Sequence, residues 1–334
     1  MKTFLKGKRI LFFSANFLGY QNAIKKALET TGATVDYFDE RPGNTFMVKA
    51  LIRINRNLLS FYIEKYYKKI IEYTSLNNYD YIFFIKGESV SSDILYLLRS
   101  SHPKAEFILY HWDSIANNRN ALRISHCFDV IFSFDQEDCD RYGWRFLPLF
   151  YGNGYKEIAE ENNYRYALMF IGTTHGDRYK LVRQIRDELQ YLGHESYTYF
   201  FFPSRLLYLK MILQNKWVRR APIKEFNFKP MTQDEVISIV AQSNIVFDIQ
   251  HAKQTGLTMR TIEALGAKRK LLTTNADIVK YDFYNPNNIQ IIDRYSRVWD
   301  KSFLYSKYVD IPIDIYNKYS IDGWIKAIFE IEAN

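Results

Sequence analysis

The chain has 334 residues, which is long enough for two domains. Its composition, 47% hydrophobic and 25% charged residues, is that of a globular protein. It contains no run of about 18 apolar residues, which argues against a transmembrane helix. Its formal net charge of +8 favours an anionic partner, such as a nucleotide, an acidic lipid surface or a nucleic acid.

The first half of the chain predicts alternating strands and helices. The predicted strands are 9–14, 33–38, 80–85, 107–110 and 130–134, and the predicted helices are 20–31, 46–71 and 93–100. This alternation is typical of a doubly wound parallel sheet. The loop after the first strand contains Asn16 but lacks the GxGxxG fingerprint of dinucleotide binding.

Two polar clusters follow predicted strands in this half. Lys86-Gly87-Glu88-Ser89 follows one strand, and His111-Trp112-Asp113-Ser114 follows the next. Open α/β sheets bind their ligands at the carboxyl ends of the strands, so both clusters are candidate site residues. The alternative is ordinary loop and helix-cap polarity.

The sequence Asp138-Cys139-Asp140 matches the short DxD pattern of metal-dependent sugar transferases. Here it falls where a helix is predicted to begin, and the helix dipole favours Asp at that position. We therefore interpret both aspartates as structural and expect no metal ion. The only two cysteines, Cys127 and Cys139, form neither a disulfide framework nor a zinc quartet, and the basic N-terminus has no small-residue cleavage site, so a cytoplasmic setting is expected.

The second half begins after a linker predicted at 151–164, which follows Pro148 and contains Gly152, Gly154 and a polar run. The strands predicted here are 166–171, 197–202, 244–249, 270–274 and 289–292, and the helices are 179–192, 232–242, one from Thr258 and 320–331. The first of these strands leads into Gly172, Thr173 and, further on, Arg178. A strand followed by a glycine-containing turn and a helix is a plausible phosphate cradle.

The stretch 244–275 predicts a strand, a loop ending at Gly256, a helix and a second strand. Thr258 is suited to N-cap the helix, whose N-terminus attracts phosphate. Arg260 would grip phosphate, and Glu263, one turn later, would accept hydrogen bonds from ribose hydroxyls. These features suit a nucleotide diphosphate. The residues predicted to bind it are Gly172, Thr173, Arg178, Gly256, Thr258, Met259, Arg260, Thr261 and Glu263. The alternative is an ordinary Arg–Glu pair on a helix surface.

The segment GLTMRTIEALGAKRKLLTTN resembles the donor-binding helix of GT-B-fold glycosyltransferases. The order strand-KGE-helix-strand-YHWDS also resembles bacterial polysaccharide glycosyltransferases of this kind, including CgeB-like proteins. The retaining members of the fold carry two glutamates at a fixed spacing; the second matches Glu263, whereas Thr255 occupies the position of the first.

The resemblance implies an α/β protein of two Rossmann-like doubly wound domains facing a cleft. The first domain (1–150) would bind the acceptor and the second (165–312) the nucleotide-sugar, while 313–334 would pack back on the first. Asp113, Glu88 and His111 are the implied catalytic residues, and Lys86 and Asn16 the acceptor-side residues. The reaction would transfer a sugar to a lipid-linked glycan of a capsule, exopolysaccharide or lipopolysaccharide, without a metal ion or other cofactor.

Other functions remain compatible with the same sequence. A polyol-phosphate transferase or a sugar epimerase can use the same fold, and so can a non-catalytic nucleotide-sugar-binding protein. No helix-turn-helix, zinc-finger or RNP pattern supports binding of nucleic acid.

Two basic stretches bear on the cellular location. Residues 46–69 and 203–224 both combine many Lys and Arg with large apolar side chains and almost no acid. Such a stretch can lie on the anionic inner face of a membrane, which would make the protein peripheral. The alternative is a core-packed helix with a solvated basic face.

Overall fold

The computed structural model describes residues 3–43, 45, 48, 51–52, 56–158, 163–250, 256–296 and 298–329. The chain divides into two compact units. The first comprises Met1–Leu149 and Ile321–Asn334, and the second comprises Phe150–Ser320.

The first unit is built on a six-stranded sheet with the order β2-β1-β3-β4-β5-β6, and all neighbouring pairs are parallel. The strands are β1 (Arg9–Phe13), β2 (Thr34–Phe38), β3 (Tyr81–Ile85), β4 (Glu106–His111), β5 (Val130–Ser133) and β6 (Arg145–Phe146). Its helices are α1 (Tyr20–Thr30), α2 (Ser60–Thr74), α3 (Ser92–Ser101), α4 (Arg119–Ile124), α5 (Gln136–Tyr142) and, from the end of the chain, α13 (Ile321–Phe329). Short 3-10 turns span Arg56–Leu59 and Ser125–Cys127.

Successive strand residues face opposite sides of this sheet, and both sides are apolar because both are covered. Phe84 stacks on Phe13 at 4.3 Å, and Tyr67 of α2 packs on Phe13 from the same side. Phe83 faces the other way and packs against Trp324 and Phe329 of α13. The closing helix therefore supplies part of the core of the first unit.

The helix predicted over 46–71 is interrupted in the observed structure. Residues 48 and 51–52 are helical, a 3-10 turn spans Arg56–Leu59 and α2 continues to Thr74, whereas 46–47, 49–50 and 53–55 lie outside the described residues. Helix α2 buries Ile63, Tyr67 and Ile70 in the hydrophobic core, as the core-packed alternative predicts.

The second unit is also built on a six-stranded parallel sheet, with the order β12-β11-β10-β7-β8-β9. The strands are β7 (Tyr166–Thr173), β8 (Ser196–Phe201), β9 (Phe226–Asn227), β10 (Ser243–Asp248), β11 (Lys270–Thr273) and β12 (Ile289–Ile291). Its helices are α6 (Asn153–Lys156), α7 (Arg178–Tyr191), α8 (Arg205–Gln214), α9 (Lys216–Arg219), α10 (Gln233–Ala241), α11 (Met259–Gly266) and α12 (Ile313–Lys318). Three 3-10 turns span Ile223–Glu225, Ala276–Lys280 and Lys301–Leu304.

The start of the second unit is more ordered than the predicted linker. Helix α6 lies inside it, although 159–162 are outside the described residues. Tyr151 is fully buried and packs against Gly266 at the end of α11, where any Cβ atom would overlap the tyrosine ring. Gly266 is thus required for this close approach. Two parallel sheets flanked by helices confirm the predicted α/β class and its doubly wound units.

Candidate functional site

The carboxyl end of β10 holds the N-terminus of α11 in the second unit. Asp248, the last residue of β10, accepts hydrogen bonds through Oδ2 from Thr258 Oγ1 at 2.8 Å and Thr261 Oγ1 at 2.9 Å. Thr258 also caps the helix, because its hydroxyl accepts the Thr261 N–H at 3.3 Å. The positive end of the helix dipole is therefore fixed at the ligand-binding edge of the sheet.

Arg260 and Glu263 form an ion pair on α11, with Nη1 and Oε2 2.6 Å apart. The Glu263 side chain is only 4% exposed and that of Arg260 only 17%, so the surface-pair alternative is wrong about their location. Ile262 and Leu265 are buried, whereas Met259 is only half-buried.

Tyr155 of α6 lies beside this ion pair and is almost fully buried. Burial raises the pKa of the Tyr155 hydroxyl far above its ordinary value, and the neighbouring Glu263 carboxylate raises that pKa further. The hydroxyl is therefore protonated at any physiological pH and can donate a hydrogen bond. Tyr155 was not among the predicted site residues, because it falls in the linker predicted at 151–164.

Arg178 lies at the start of α7, where its Nη1 donates to the carbonyl oxygen of Thr173 at 3.3 Å and to Thr173 Oγ1 at 3.2 Å. Burial lowers the pKa of the Arg178 guanidinium, and nearby Arg294 lowers that pKa as well, whereas Asp248 raises it. Arg294 in turn donates to Asp177 at 2.8 Å and to the carbonyl oxygen of Gln250.

The buried polar atoms at this edge that have no hydrogen-bond partner among the described residues include Arg178 Nε and Thr174 Oγ1. Buried donors usually find partners, so such atoms call for an explanation. A bound anion would accept both hydrogen bonds and neutralise two neighbouring guanidiniums.

The remaining predicted donor residues also lie at this edge. Gly172 is the second-last residue of β7, where a Cβ atom would stand 3.0 Å from the ring of Phe170. Gly256 is buried immediately before α11, while 251–255, which include Thr255, lie outside the described residues. The sequence analysis missed Asp248 and Arg294. A charged residue at the end of an apolar strand was the available signal for Asp248.

The first unit brings three of its predicted residues together at the ends of β3 and β4. Lys86 Nζ lies 2.7 Å from Asp113 Oδ2 and 3.6 Å from Glu88 Oε2. Glu88 is buried and pairs with buried Arg41, whose Nε is 3.1 Å from Glu88 Oε2. Asp113 is the more accessible of the two carboxylates.

Glu40 shapes the turn that carries Lys86 and Glu88. Its carboxylate accepts the N–H groups of Gly87 at 2.9 Å and Glu88 at 2.6 Å, in a turn where Lys86 has φ +84° and Gly87 has φ +61°. Burial, followed by the charge of Glu88, raises the pKa of Glu40 to about 8. The sequence analysis missed both Glu40 and Arg41, which follow β2.

The contacts described for His111 and Asn16 are with residues outside this cluster. His111 is buried against Trp144, with ring centroids 4.4 Å apart, and its ring nitrogens have no partner among the described residues. Burial lowers the pKa of His111 to about 3, so the ring is neutral at pH 7 and a weak base. Asn16 is exposed; its side chain accepts from Gln21 Nε2 at 3.0 Å and its N–H donates to Asp39 at 3.2 Å.

The DxD aspartates lie in α5. Asp138 Oδ2 accepts the N–H of Ile115 at 2.9 Å, and Asp140 accepts from Gln136 Nε2 at 2.7 Å. Within the described ranges, no group of three or more His, Cys, Asp or Glu is placed to hold a metal ion. Likewise, none of the helices described is long and apolar enough to cross a bilayer.

Two doubly wound units, each with a six-stranded parallel sheet, define the GT-B class of fold. HepE from Anabaena, solved with UDP and glucose, shares this fold with a TM-score of 0.60 and 11% identity, over 97% of this chain and 98% of that chain. The UDP-forming α,α-trehalose-phosphate synthase from Burkholderia xenovorans, solved with glucose-6-phosphate, gives a TM-score of 0.57 and 11% identity, over 97% and 99%.

A UDP-GlcNAc 2-epimerase from Methanocaldococcus jannaschii also shares the fold, with a TM-score of 0.52 and 10% identity, over 96% of this chain and 99% of that chain. No family model matches the sequence. No curated protein matches it either.

Proposed function

We propose that the protein is a glycosyltransferase that moves a sugar from a nucleotide-activated donor to a lipid-linked glycan in bacterial surface polysaccharide synthesis. The observation that carries the proposal is the buried Arg260–Glu263 pair on α11, a helix that Asp248 fastens to the carboxyl end of β10. HepE and the trehalose-phosphate synthase, which share the fold, are named with UDP, and this supports a nucleoside-diphosphate donor.

The donor would bind to the second unit. Arg178, Arg260 and Arg294, together with the N-terminus of α11, would neutralise the diphosphate, and the same charges would stabilise it as the leaving group. Glu263 would accept hydrogen bonds from the ribose hydroxyls. No metal ion would be needed for either role.

The acceptor would bind to the first unit, where a base must take the proton of the attacking hydroxyl. Asp113 suits that role better than Glu88, because it is more accessible and is held through Lys86. Glu88 is committed to Arg41, and His111 is buried with a lowered pKa, so we give each of them a positioning role only. Such an enzyme would work in the cytoplasm, peripherally attached to the inner face of the cell membrane.

One alternative has a specific observation in its favour. A UDP-GlcNAc 2-epimerase shares the fold, and an epimerase would also need a nucleotide-sugar site but no separate acceptor. No specific observation favours a polyol-phosphate transferase or a non-catalytic binding protein.

The test is a panel of nucleotide-sugars, each radiolabelled in the sugar, incubated with the protein with and without bacterial lipid extract. Transfer of label to the lipid fraction with release of nucleoside diphosphate, dependent on the extract, is expected. Conversion of the donor sugar to its epimer without extract would favour the epimerase, and tight binding without turnover would favour a binding protein.

A further inference from the structure

Helix α8 presents an unusual arrangement of apolar side chains in the second unit. Leu206, Leu209 and Leu213 repeat at intervals of three and four residues, so they share one side of the helix, which we call the leucine face. These side chains are 72%, 56% and 81% exposed. A contiguous exposed apolar surface on a globular protein marks an interaction site.

The opposite side of α8 is anchored to the unit. Tyr208 is buried against Phe202, Phe226 and Phe228, with ring centroids 5.3, 5.4 and 5.6 Å away. Met211 and Ile212 pack on the same core. The leucine face is therefore exposed because the other side of the helix is already used for folding.

Local caps fix the helix and the turn that follows it. Ser204 accepts the N–H of Leu207 at 3.2 Å at the start of α8. Asn215 accepts the N–H of Trp217 at 2.9 Å at the start of α9, and its Nδ2 donates to the carbonyl oxygen of Gly176 at 2.8 Å. The leucine face therefore lies on a helix whose ends are fixed by hydrogen bonds, and it needs no folding step to become available.

The segment that carries this face has charge of one sign. Residues 203–224 contain no Asp or Glu. Their cationic side chains are all exposed: Arg205, Lys210, Lys216, Arg219, Arg220 and Lys224. Exposed leucines on a segment whose charges are all cationic match the interfacial region of a membrane, where acyl chains lie beneath anionic headgroups.

We infer that α8 and α9 form a membrane-docking element that inserts the leucine face into an anionic leaflet while the surrounding cations contact its headgroups. Each cation near an acidic surface strengthens binding by about fivefold, so several together give useful affinity without a transmembrane helix. The inference rests on the proposed function only for its purpose, which is to bring the enzyme to a lipid-linked acceptor.

The exposed side chains of α2 do not make an equally strong case. Leu58, in the 3-10 turn before α2, and Phe61 are also exposed, and Lys65 follows them. However, α2 itself carries Glu64 and Glu72, so its charge is of both signs, and several residues that precede it lie outside the described part of the chain. The docking role is therefore assigned to α8 and α9.

The experiment is flotation of the purified full chain with phosphatidylcholine vesicles that do or do not contain phosphatidylglycerol, at low and high salt. The wild-type protein is expected to float with anionic vesicles at low salt and much less at high salt or with neutral vesicles. Leu206→Gln, Leu209→Gln and Leu213→Gln combined should weaken vesicle binding by roughly tenfold or more. Arg219→Glu with Arg220→Glu should weaken it by a similar factor.

Matched controls use exposed residues elsewhere. The control for the leucine-face variant combines Leu76→Gln, Leu97→Gln and Leu192→Gln. The control for the arginine variant combines Lys65→Glu and Lys69→Glu. Each control should reduce flotation less than the α8–α9 variant that it matches. Wild type that does not float, or a leucine-face variant that floats equally well, would overturn the inference. A wild-type dimer in solution that the leucine-face variant converts to a monomer would overturn it as well, since the face would then bind a second copy.

The flotation assay needs neither donor nor acceptor, so its result is independent of the proposed enzymatic activity. Nucleoside-diphosphate binding by the leucine-face variant should equal that of the wild type. Loss of flotation with intact nucleotide binding is therefore the expected signature of the docking element.

Discussion

Arg260 and Glu263 are joined by a 2.6 Å ion pair that is largely withdrawn from solvent. An exposed pair at this helical spacing stabilises a helix by only about 0.2–0.5 kcal/mol, whereas a buried pair repays the desolvation of its two charges only when the geometry is good. The pair is therefore expected to contribute little net stability to the fold. Its two charges are better explained by a ligand that carries both phosphate and hydroxyl groups.

Removing one partner of this pair should destabilise the second unit. We predict that Arg260→Ala lowers the free energy of unfolding by about 3–5 kcal/mol, because a buried Glu263 carboxylate loses its counter-ion. Denaturant unfolding checks this. The matched control is Lys280→Ala, which breaks the more exposed i,i+3 pair with Asp277 (2.6 Å) and should cost less than about 1 kcal/mol. Equal effects of the two substitutions would contradict the burial of the pair.

The positions of the strands were predictable to within a residue or two, because buried parallel strands are short apolar runs bounded by polar turns. The strand predicted at 244–249 is Ser243–Asp248, and the helix predicted from Thr258 is Met259–Gly266 with Thr258 as its cap. In contrast, β6 and β9 have two residues each and carry no periodicity that could reveal them.

The contacts within the site were less predictable than the elements. The sequence indicated that Glu88 and Asp113 lie at the same sheet edge, but not that Arg41 and Glu40, which follow β2, would bind Glu88 and its turn. Tyr155 could not be predicted for a similar reason, because its neighbours Arg260 and Glu263 are more than a hundred residues away in the chain. Long-range pairings leave no local pattern.

The two carboxylates of the first unit should respond differently to substitution. Asp113→Asn is predicted to lower kcat by roughly 10²–10⁴-fold with little change in melting temperature, because Asp113 is accessible and is the proposed base. Glu88→Gln should mainly lower stability, by about 3–5 kcal/mol, because it leaves buried Arg41 without its counter-ion. Steady-state kinetics and thermal melting on both variants check this. A full loss of kcat in Glu88→Gln at unchanged melting would reverse the two roles.

His111 should make the first unit sensitive to acid. The folded protein holds the pKa of His111 near 3, below its ordinary value of 6.5, so stability is fully present above pH 6.5 and is lost as the pH falls from there toward 3. The loss should approach about 1.4 kcal/mol per pH unit, and His111→Phe should remove it.

The measurement is the difference in unfolding free energy between wild type and His111→Phe from pH 7 to pH 4. The difference is measured because Glu40 also titrates in this range. Its pKa is raised from 4.5 to about 8, so its contribution to the unfolding free energy increases as the pH falls between these values, opposite to that of His111. Glu40 is present in both proteins, so its contribution cancels. His126→Phe, at an exposed position, is the control. Parallel pH profiles for wild type and His111→Phe would show that this histidine does not titrate differently on folding.

Catalysis is predicted to be independent of metal ions, because arginines and a helix N-terminus would supply the positive charge at the proposed donor site. Turnover should be unchanged by EDTA. Asp140→Asn should also leave turnover unchanged, since Asp140 bonds only to Gln136 of its own helix among the contacts described. Complete loss of turnover in EDTA, restored by Mn²⁺ or Mg²⁺, would return Asp138 and Asp140 to the active site.

The most direct test of donor binding by the second unit is calorimetric titration of nucleoside diphosphates into wild type, Arg178→Gln and Arg260→Lys. Wild type should bind at least one of them, and Arg178→Gln should lose about 1.5–3 kcal/mol of binding free energy with an unchanged melting temperature, because a charge-assisted phosphate contact is removed. Arg260→Lys should bind more weakly as well, since it keeps the charge but not the bidentate geometry. Wild type that binds no nucleoside diphosphate, or folded variants that bind with wild-type affinity, would contradict the account.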